Sequence, residues 1–334
     1  MKFLVTLPEG EIRDTFFTKK QIAELEALGE IVWNPKSVHM EDDELKAALK
    51  DVDVVFTGWG THKLTGEIIE GADKLKLVAH VGGTVKPYVS EEVYQRGIKV
   101  ASGNEIYADS VAEGCIAYLL CVLRKLPYYS GQLAEGIWAG DEERKNRGLI
   151  GRTVGLVGFG AISKKLIPLL KMFNTKVYVY SRYISDEMLK KYDVEYRSVE
   201  EIFKTCDIVS LHSSYTPSTH HMIRGSHIES MVEGGILLNT SRGPIIDEQE
   251  MVAALKKRPD LIAALDVYEN EPIGPGEPIL ECKNTFLMPH MGGPTIDMRS
   301  VVTSALIRDA VAVVERGEAP FYEIDWETCK KQTA

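Results

Sequence analysis

Residues Val154–Tyr183 read VGLVGFGAISKKLIPLLKMFNTKVYVYSRY, and this stretch decides the fold. The apolar run Val154–Val157 leads into Gly158-Phe159-Gly160-Ala161-Ile162-Ser163. Ile162, Leu166, Leu169, Leu170 and Phe173 then recur at helical spacing, and a second apolar run, Val177–Tyr180, closes the unit. Strand, glycine turn, helix and strand in this order form a βαβ unit that binds a dinucleotide. Gly158 allows the tight turn, and Gly160 lets the backbone approach a pyrophosphate whose charge sits on the helix N-terminus. The third glycine position of the pattern holds Ser163, which is still small. Where the second strand ends, an NAD site usually places Asp or Glu to hold the ribose 2′-hydroxyl. Here the chain has Ser181-Arg182. Arg pairs with a 2′-phosphate and Ser donates a hydrogen bond to it, so NADP is favoured, with NAD as the alternative.

Bulk properties bound the remaining choices. A chain of 334 residues fits two domains of moderate size. Its 44% hydrophobic and 26% charged content is that of a globular protein. The formal net charge of −10 argues against a nucleic-acid or membrane-surface partner. No apolar run reads as long enough to cross a bilayer, and Met1–Val5 runs straight into a strand pattern rather than a signal. The cysteines, Cys115, Cys121, Cys206, Cys282 and Cys329, show neither zinc-ligand spacing nor a disulfide framework. No metal is expected, and the location expected is cytoplasmic.

Upstream, short apolar runs alternate with helical stretches. Phe3–Leu7, Ile31–Trp33, Val52–Thr57, Leu75–Val81 and Ile98–Ala101 read as strands; Lys19–Leu28 and Asp43–Leu49 read as helices. The alternation implies a parallel, doubly wound sheet with no glycine fingerprint of its own. Ser110–Leu126 reads as a strongly apolar helix, with Ser110 and Glu113 as a capping box and Pro127 ending it. Residues 128–152 read as a connection or arm. Thr295–Arg316 reads as a long helix that returns to the first domain. The expected organisation is therefore a discontinuous substrate domain, 1–104 and 295–334, with a dinucleotide-binding domain, 105–294, inserted into it.

Three strand-end motifs carry chemistry. Leu237–Pro244 presents Arg242 at the carboxyl edge of a strand, where a doubly wound sheet binds its ligand; a guanidinium there can grip a carboxylate with two hydrogen bonds. Ala263–Pro272 ends a strand at Asp266 and follows it with Glu269 and Glu271. Phe286–Pro294 places His290 before Gly292-Gly293. A cation, an acid and an imidazole at one sheet edge form a specific set.

On GFGAIS, SLHSSYTPSTHHMI, LLNTSRGPIIDEQEMVAAL, AALDVYENEP and LMPHMGG, the chain resembles the D-isomer-specific 2-hydroxyacid dehydrogenase family over nearly its full length. The resemblance implies two parallel-sheet α/β domains, a Rossmann nucleotide-binding domain inserted into a flavodoxin-like substrate domain. It implies that Arg242 binds substrate, that Glu271 orients His290, and that His290 is the general acid/base. Glu271 would hold the ring and favour its protonated form, and His titrates near the working pH. Cofactor contacts are expected from Gly158, Phe159, Gly160, Ala161, Ile162, Ser181, Arg182, Tyr183, His212, Ser213, Thr219, Thr240, Ser241, Arg242, Asp266, His290 and Gly292. Asp266 would contact the nicotinamide amide or ribose, with a turn cap as the plain alternative. His212 reads as structural, and His220 and His221 as solvated.

Substrate contacts are expected from Trp59, Val81, Gly82, Gly83 and Arg242. After Gly83 the family's Asp-Asn-Ile-Asp run is replaced by Thr84-Val85-Lys86-Pro87, where Lys86 either adds a cation or faces solvent. The loop Thr57–His62 offers Trp59 and no arginine, which disfavours a phosphorylated substrate. The implied function is an NAD(P)-dependent glyoxylate reductase or hydroxypyruvate reductase, interconverting a small 2-oxo acid and the D-2-hydroxy acid. The alternatives are a phosphoglycerate dehydrogenase-like enzyme, a formate-oxidising relative and a non-enzymatic, dinucleotide-sensing corepressor. The apolar helix and the arm after it need cover, so a homodimer is expected.

Overall fold

The computed structural model describes residues 1–140 and 143–333. The chain divides into two compact units, Met1–Tyr107 with Pro294–Ala334, and Ala108–Gly293.

The first unit is built on β1 (Lys2–Val5), β2 (Glu30–Trp33), β3 (Val54–Thr57), β4 (Leu77–His80) and β5 (Lys99–Ser102). All pair in parallel in the order β2-β1-β3-β4-β5, the flavodoxin-like arrangement. The strands are short and apolar because both faces are covered. Alternate residues serve opposite cores. Phe3, Phe56 and Leu77 pack with Val302, Leu306 and Ala310 of the Ile296–Glu315 helix. Leu4, Val55 and Val78 pack with Leu45, Leu49 and Val93.

The second unit carries β6 (Thr153–Val157), β7 (Lys176–Tyr180), β8 (Glu195–Tyr196), β9 (Ile208–Leu211), β10 (Ile236–Asn239), β11 (Ile262–Leu265) and β12 (Thr285–Leu287). The order is β12-β11-β10-β9-β6-β7-β8, all parallel. This is the Rossmann order with one added edge strand, and the direction of winding reverses between β6 and β9, where such sheets bind ligand. Leu166, Ile167 and Leu170 of the Ala161–Lys171 helix pack against Val154, Leu156 and Val179.

Three expectations about the helix after β5 are corrected. It spans Asn104–Arg124, so Ser110 lies inside it and caps nothing; its hydroxyl donates to the Gly293 carbonyl at 3.1 Å. Pro127 does not end it. Lys125, in the left-handed region at φ 52°, breaks the chain, and Pro127 sits in the first turn of a new helix, Leu126–Ala134. That proline lacks only an N–H that a first turn leaves unpaired anyway. The expected arm is therefore helical in its first part. By length and composition Asn104–Arg124 is apolar enough to cross a membrane, contrary to the reading from sequence, yet 56% of its most apolar window is buried within the protein. Ala112, Cys115, Leu119 and Leu123 belong to the same core as β6 and β7, which accounts for its composition.

Candidate active site

The carboxyl edge of the second sheet gathers the predicted residues. Gly158 follows β6 with φ 115°, a value that L side chains rarely adopt, and a Cβ there would come within 2.5 Å of the His212 carbonyl carbon. A Cβ on Gly160 would meet nothing within 4 Å. Gly160 caps the Ala161–Lys171 helix without a side-chain hydrogen bond, so no side chain among the described residues occupies its first-turn N–H groups. An open glycine before a bare helix N-terminus fits a pyrophosphate. Ser163 is fully buried, and its hydroxyl donates to the Gly158 carbonyl at 2.8 Å; the missing third glycine is replaced by a bond that holds the turn.

Beyond β7, the Arg182 guanidinium donates to Ser218 Oγ at 3.0 Å and lies 5.6 Å from the centre of the exposed Tyr183 ring. Ser181 Oγ accepts the Tyr183 N–H at 3.2 Å. Phe159 meets Tyr192 edge-on at 5.4 Å. Beyond β9, His212 is buried and pairs through Nε2 with Ser210 Oγ at 2.8 Å, while Nδ1 has no partner among the described residues; burial pushes its pKa down to about 4. Ser213 Oγ donates to the Val157 carbonyl, and Thr219 Oγ1 to the Ser214 carbonyl at 2.7 Å. These groups hold their own loop.

The turn after β10 is fixed by Asn239, which the sequence reading passed over. Its buried amide donates to the Arg242 carbonyl and accepts the Ser241 N–H, both at 3.0 Å. Ser241 Oγ donates to the Ser213 carbonyl at 2.5 Å, and Thr240 Oγ1 lies 3.3 Å from Cys115 Sγ. Arg242 itself donates to the Ser241 carbonyl at 2.6 Å. Burial lowers its pKa and the Glu271 charge opposes that shift, so the two side chains act on one another. Gly243 is obligatory: any Cβ would fall inside the Tyr268 carbonyl.

After β12, His290 takes φ 54° and its N–H donates to the Asp266 carbonyl at 2.9 Å. Its ring Nδ1 stands 2.6 Å from Glu271 Oε2. Glu271 Oε1 accepts the Tyr268 N–H at 2.9 Å. Asp266 is buried, and its oxygens accept the Met291 and Gly292 N–H groups, each at 2.7 Å, and the Tyr118 hydroxyl at 3.2 Å. Burial raises its pKa against those bonds. In this geometry Asp266 caps the turn that carries His290. A Cβ on Gly292 would come within 2.8 Å of Asp266 Oδ2.

His221 departs from expectation. It is not solvated: Nε2 lies 2.8 Å from Glu269 Oε1 and Nδ1 lies 3.5 Å from Asp247 Oδ2. Glu269 is thereby committed to His221 and Glu271 to His290. Nothing in the local sequence signals the His221 contacts, since its carboxylates lie 26 and 48 positions away along the chain.

The first unit holds the other predicted residues. Trp59, 45% exposed, stacks on Tyr107 at 6.5 Å and tilts against Phe16 at 5.8 Å. In the Val81–Gly83 turn every carbonyl is engaged. Val81 accepts from the Tyr107 hydroxyl at 2.5 Å, Gly82 from the Gly103 N–H at 3.0 Å, and Gly83 from Ser102 Oγ at 2.9 Å. The N–H groups of Gly82 and Gly83 meet no acceptor among the described residues. His80, beneath Gly82, is fully buried, pairs with Thr57 Oγ1 at 3.0 Å and stacks on Tyr88; burial drives its pKa to about 3. Lys86 neither faces solvent freely nor adds an open cation. Its ammonium donates to the Lys330 and Gln332 carbonyls, at 3.3 and 3.2 Å, and so holds the end of the C-terminal Trp326–Lys331 helix.

Residues 116–292 match the model of the D-isomer specific 2-hydroxyacid dehydrogenase NAD binding domain. The D-3-phosphoglycerate dehydrogenase of Methanocaldococcus jannaschii is 32% identical over 95% of this chain, which spans only 58% of that relative's length. The glyoxylate reductase of Thermococcus litoralis is 33% identical, over 81% of this chain and 83% of its own. A solved NADPH-dependent glyoxylate/hydroxypyruvate reductase from Sinorhizobium meliloti shares the fold with a TM-score of 0.77 at 24% identity, covering 100% of this chain and 99% of that one.

Proposed function

Because the chain belongs to the D-isomer specific 2-hydroxyacid dehydrogenase family, we propose that it reduces a small unphosphorylated 2-oxo acid, of the glyoxylate or hydroxypyruvate kind, to the D-2-hydroxy acid with NAD(P). The observation that carries this reading is the His290–Glu271 pair at 2.6 Å, at the same sheet edge as Arg242. The dinucleotide, when bound, supplies the hydride for the oxo carbon. Gly158, Gly160 and the first turn of the Ala161–Lys171 helix would hold its pyrophosphate, and Ser181, Arg182 and Tyr183 its adenosine end. NADP is preferred to NAD, since Arg182 and Ser218 stand where an acid would repel the 2′-phosphate.

Glu271 engages Nδ1 of His290 and leaves Nε2 as the nitrogen that moves a proton. His290 delivers that proton to the oxo oxygen, and the alcohol returns it in the oxidative direction. Arg242 grips the carboxylate and stabilises the negative charge that develops on the oxo oxygen. In the first unit the N–H groups of Gly82 and Gly83, which meet no acceptor among the described residues, offer a foothold for a carboxylate, and Trp59 offers an apolar surface for a substrate. The Thr57–His62 loop carries no arginine for a phosphate, which favours an unphosphorylated acid over the phosphoglycerate class. The protein works as a cytoplasmic homodimer. All five cysteines are free, as suits a reducing compartment. Leu126, Tyr128, Leu133 and Trp138, each more than half exposed, supply apolar surface for the partner.

The test mixes pure protein with NADPH or NADH and a panel of 2-oxo acids, and follows cofactor absorbance. Turnover of glyoxylate or hydroxypyruvate that disappears in His290→Ala supports the proposal. Turnover confined to a phosphorylated acid overturns the substrate class. Tight cofactor binding with no turnover on any acid overturns the enzyme in favour of a dinucleotide sensor.

A further inference from the structure

His221 ties together the two loops that carry Arg242 and Glu271. Its backbone sits in the left-handed region at φ 48°, which few non-glycine residues occupy. Its N–H donates to the Pro244 carbonyl at 2.9 Å, two residues beyond Arg242. The Ile223 N–H donates to the Ile245 carbonyl and the Asp247 N–H to the Ile223 carbonyl, each at 3.0 Å, so residues 221–223 run alongside the turn that Arg242 opens. The His221 ring spans outward from there. Nε2 contacts Glu269 at 2.8 Å, two residues before Glu271, and Nδ1 faces Asp247 at 3.5 Å. His220 stacks on the ring at 3.9 Å.

The two carboxylates are themselves anchored. Asp247 caps the Glu248–Lys257 helix through the Glu250 N–H at 3.0 Å and accepts from Arg224 at 2.7 Å. The Glu269 N–H donates to Glu248 Oε2 at 2.9 Å. The ring is thus hydrogen-bonded at Nε2, faces a carboxylate at Nδ1 and is stacked on one face, and it braces the Tyr268–Glu271 loop against the Arg242–Asp247 turn.

We propose that His221 is a positioning residue: through Glu269 and Pro244 it sets Glu271 against His290 and steadies the turn that carries Arg242. The proposal rests on the reading of His290 and Glu271 as the acid/base pair. Loops deliver side chains accurately only when supporting contacts lock them, and a displacement of about 1 Å can cost on the order of 100-fold in rate.

The test compares His221→Ala, His221→Gln and Glu269→Gln, with His290→Ala as control, on the 2-oxo acid that the natural protein turns over fastest. Active sites are counted by fluorescence titration with reduced dinucleotide. In His221→Ala, kcat per cofactor-binding site falls at least about tenfold while cofactor affinity stays within about threefold. His221→Gln, whose amide can reach Glu269, recovers most of the loss, and adding Glu269→Gln to His221→Ala costs little more. An unchanged kcat per site overturns the proposal, as does a loss seen only as fewer binding sites. If His221→Ala does not fold, Glu269→Gln decides on the same criterion. Turnover retained in His290→Ala instead overturns the acid/base reading, and this proposal with it; turnover lost there but kept in His221→Ala defeats the positioning role alone.

Discussion

His290 Nδ1 stands 2.6 Å from Glu271 Oε2, and the other oxygen of Glu271 is held by the Tyr268 N–H at 2.9 Å. Both oxygens of the acid are committed, so the carboxylate cannot turn away from the ring. The ring orientation follows from the main chain of the Tyr268–Glu271 loop rather than from a freely rotating side chain.

Removing either partner separates chemistry from orientation. His290→Ala is expected to lower kcat by about 100- to 10,000-fold, the usual worth of a positioned general acid. Glu271→Gln keeps the shape and a hydrogen-bonding group but loses the charge, and is expected to fall between His290→Ala and the natural protein. Steady-state kinetics on a reducible 2-oxo acid check both. A Glu271→Gln variant at full activity would sink the pairing as a catalytic device.

Arg182 is expected to govern the choice of dinucleotide. Arg182→Ala is expected to remove a charge-assisted contact worth roughly 1.5–3 kcal/mol, about 10- to 150-fold in NADPH affinity, with NADH affinity nearly unchanged. Isothermal titration with each cofactor measures the ratio. Equal losses for both would show that Arg182 serves the adenine rather than a phosphate.

Gly243→Ala sets a methyl group inside the Tyr268 carbonyl. Backbone cannot yield as a side-chain tip can, so the cost lies at the upper end of the roughly 1–3 kcal/mol of overpacking. A lower urea midpoint at unchanged slope is the expected result, together with reduced kcat, because the loop pushed aside carries Glu271. A variant as stable as the natural protein would place Gly243 in a looser turn than the one described.

Two buried histidines set an acid limit to stability. Burial drives His80 to a pKa of about 3 and His212 to about 4, against an ordinary value near 6.5. Both folded values are depressed, so between those values and about pH 6.5 the unfolded chain binds the extra protons and stability rises with pH. The contribution is complete above about pH 6.5 and is lost as pH falls toward 4 and then 3. Urea midpoints at pH 7 and pH 5 are expected to differ more in the natural protein than in His80→Phe or His212→Asn. An identical pH slope in both variants would contradict the assignment.

Much of the second unit was legible because its signals are local. Val154–Val157, the Gly158–Ser163 turn and the Leu166–Leu170 face lie within one short stretch, and each strand-end motif carries its own residues. Ser110 misled for the same reason. Its capping-box pattern is local, whereas the true start at Asn104 depends on Ile106, Tyr107 and Ala108 becoming buried. Pro127 was placed correctly at a helix boundary but on the wrong side of it, because Lys125 adopts a backbone conformation that its side chain does not advertise. Asn239, Tyr118 and His221 act through partners brought close only by the folded sheet, and no spacing rule announces them.

The Val81–Gly83 turn has a consequence for how such a protein can diverge. Its carbonyls are pinned from behind by Tyr107, Gly103 and Ser102, and the N–H groups proposed to hold a substrate carboxylate belong to the main chain. Replacement of neighbouring side chains leaves that foothold intact. On the proposed reading, new acids would be sampled over generations by altering Trp59 and its surroundings, while the demand for a negatively charged end would be inherited unchanged.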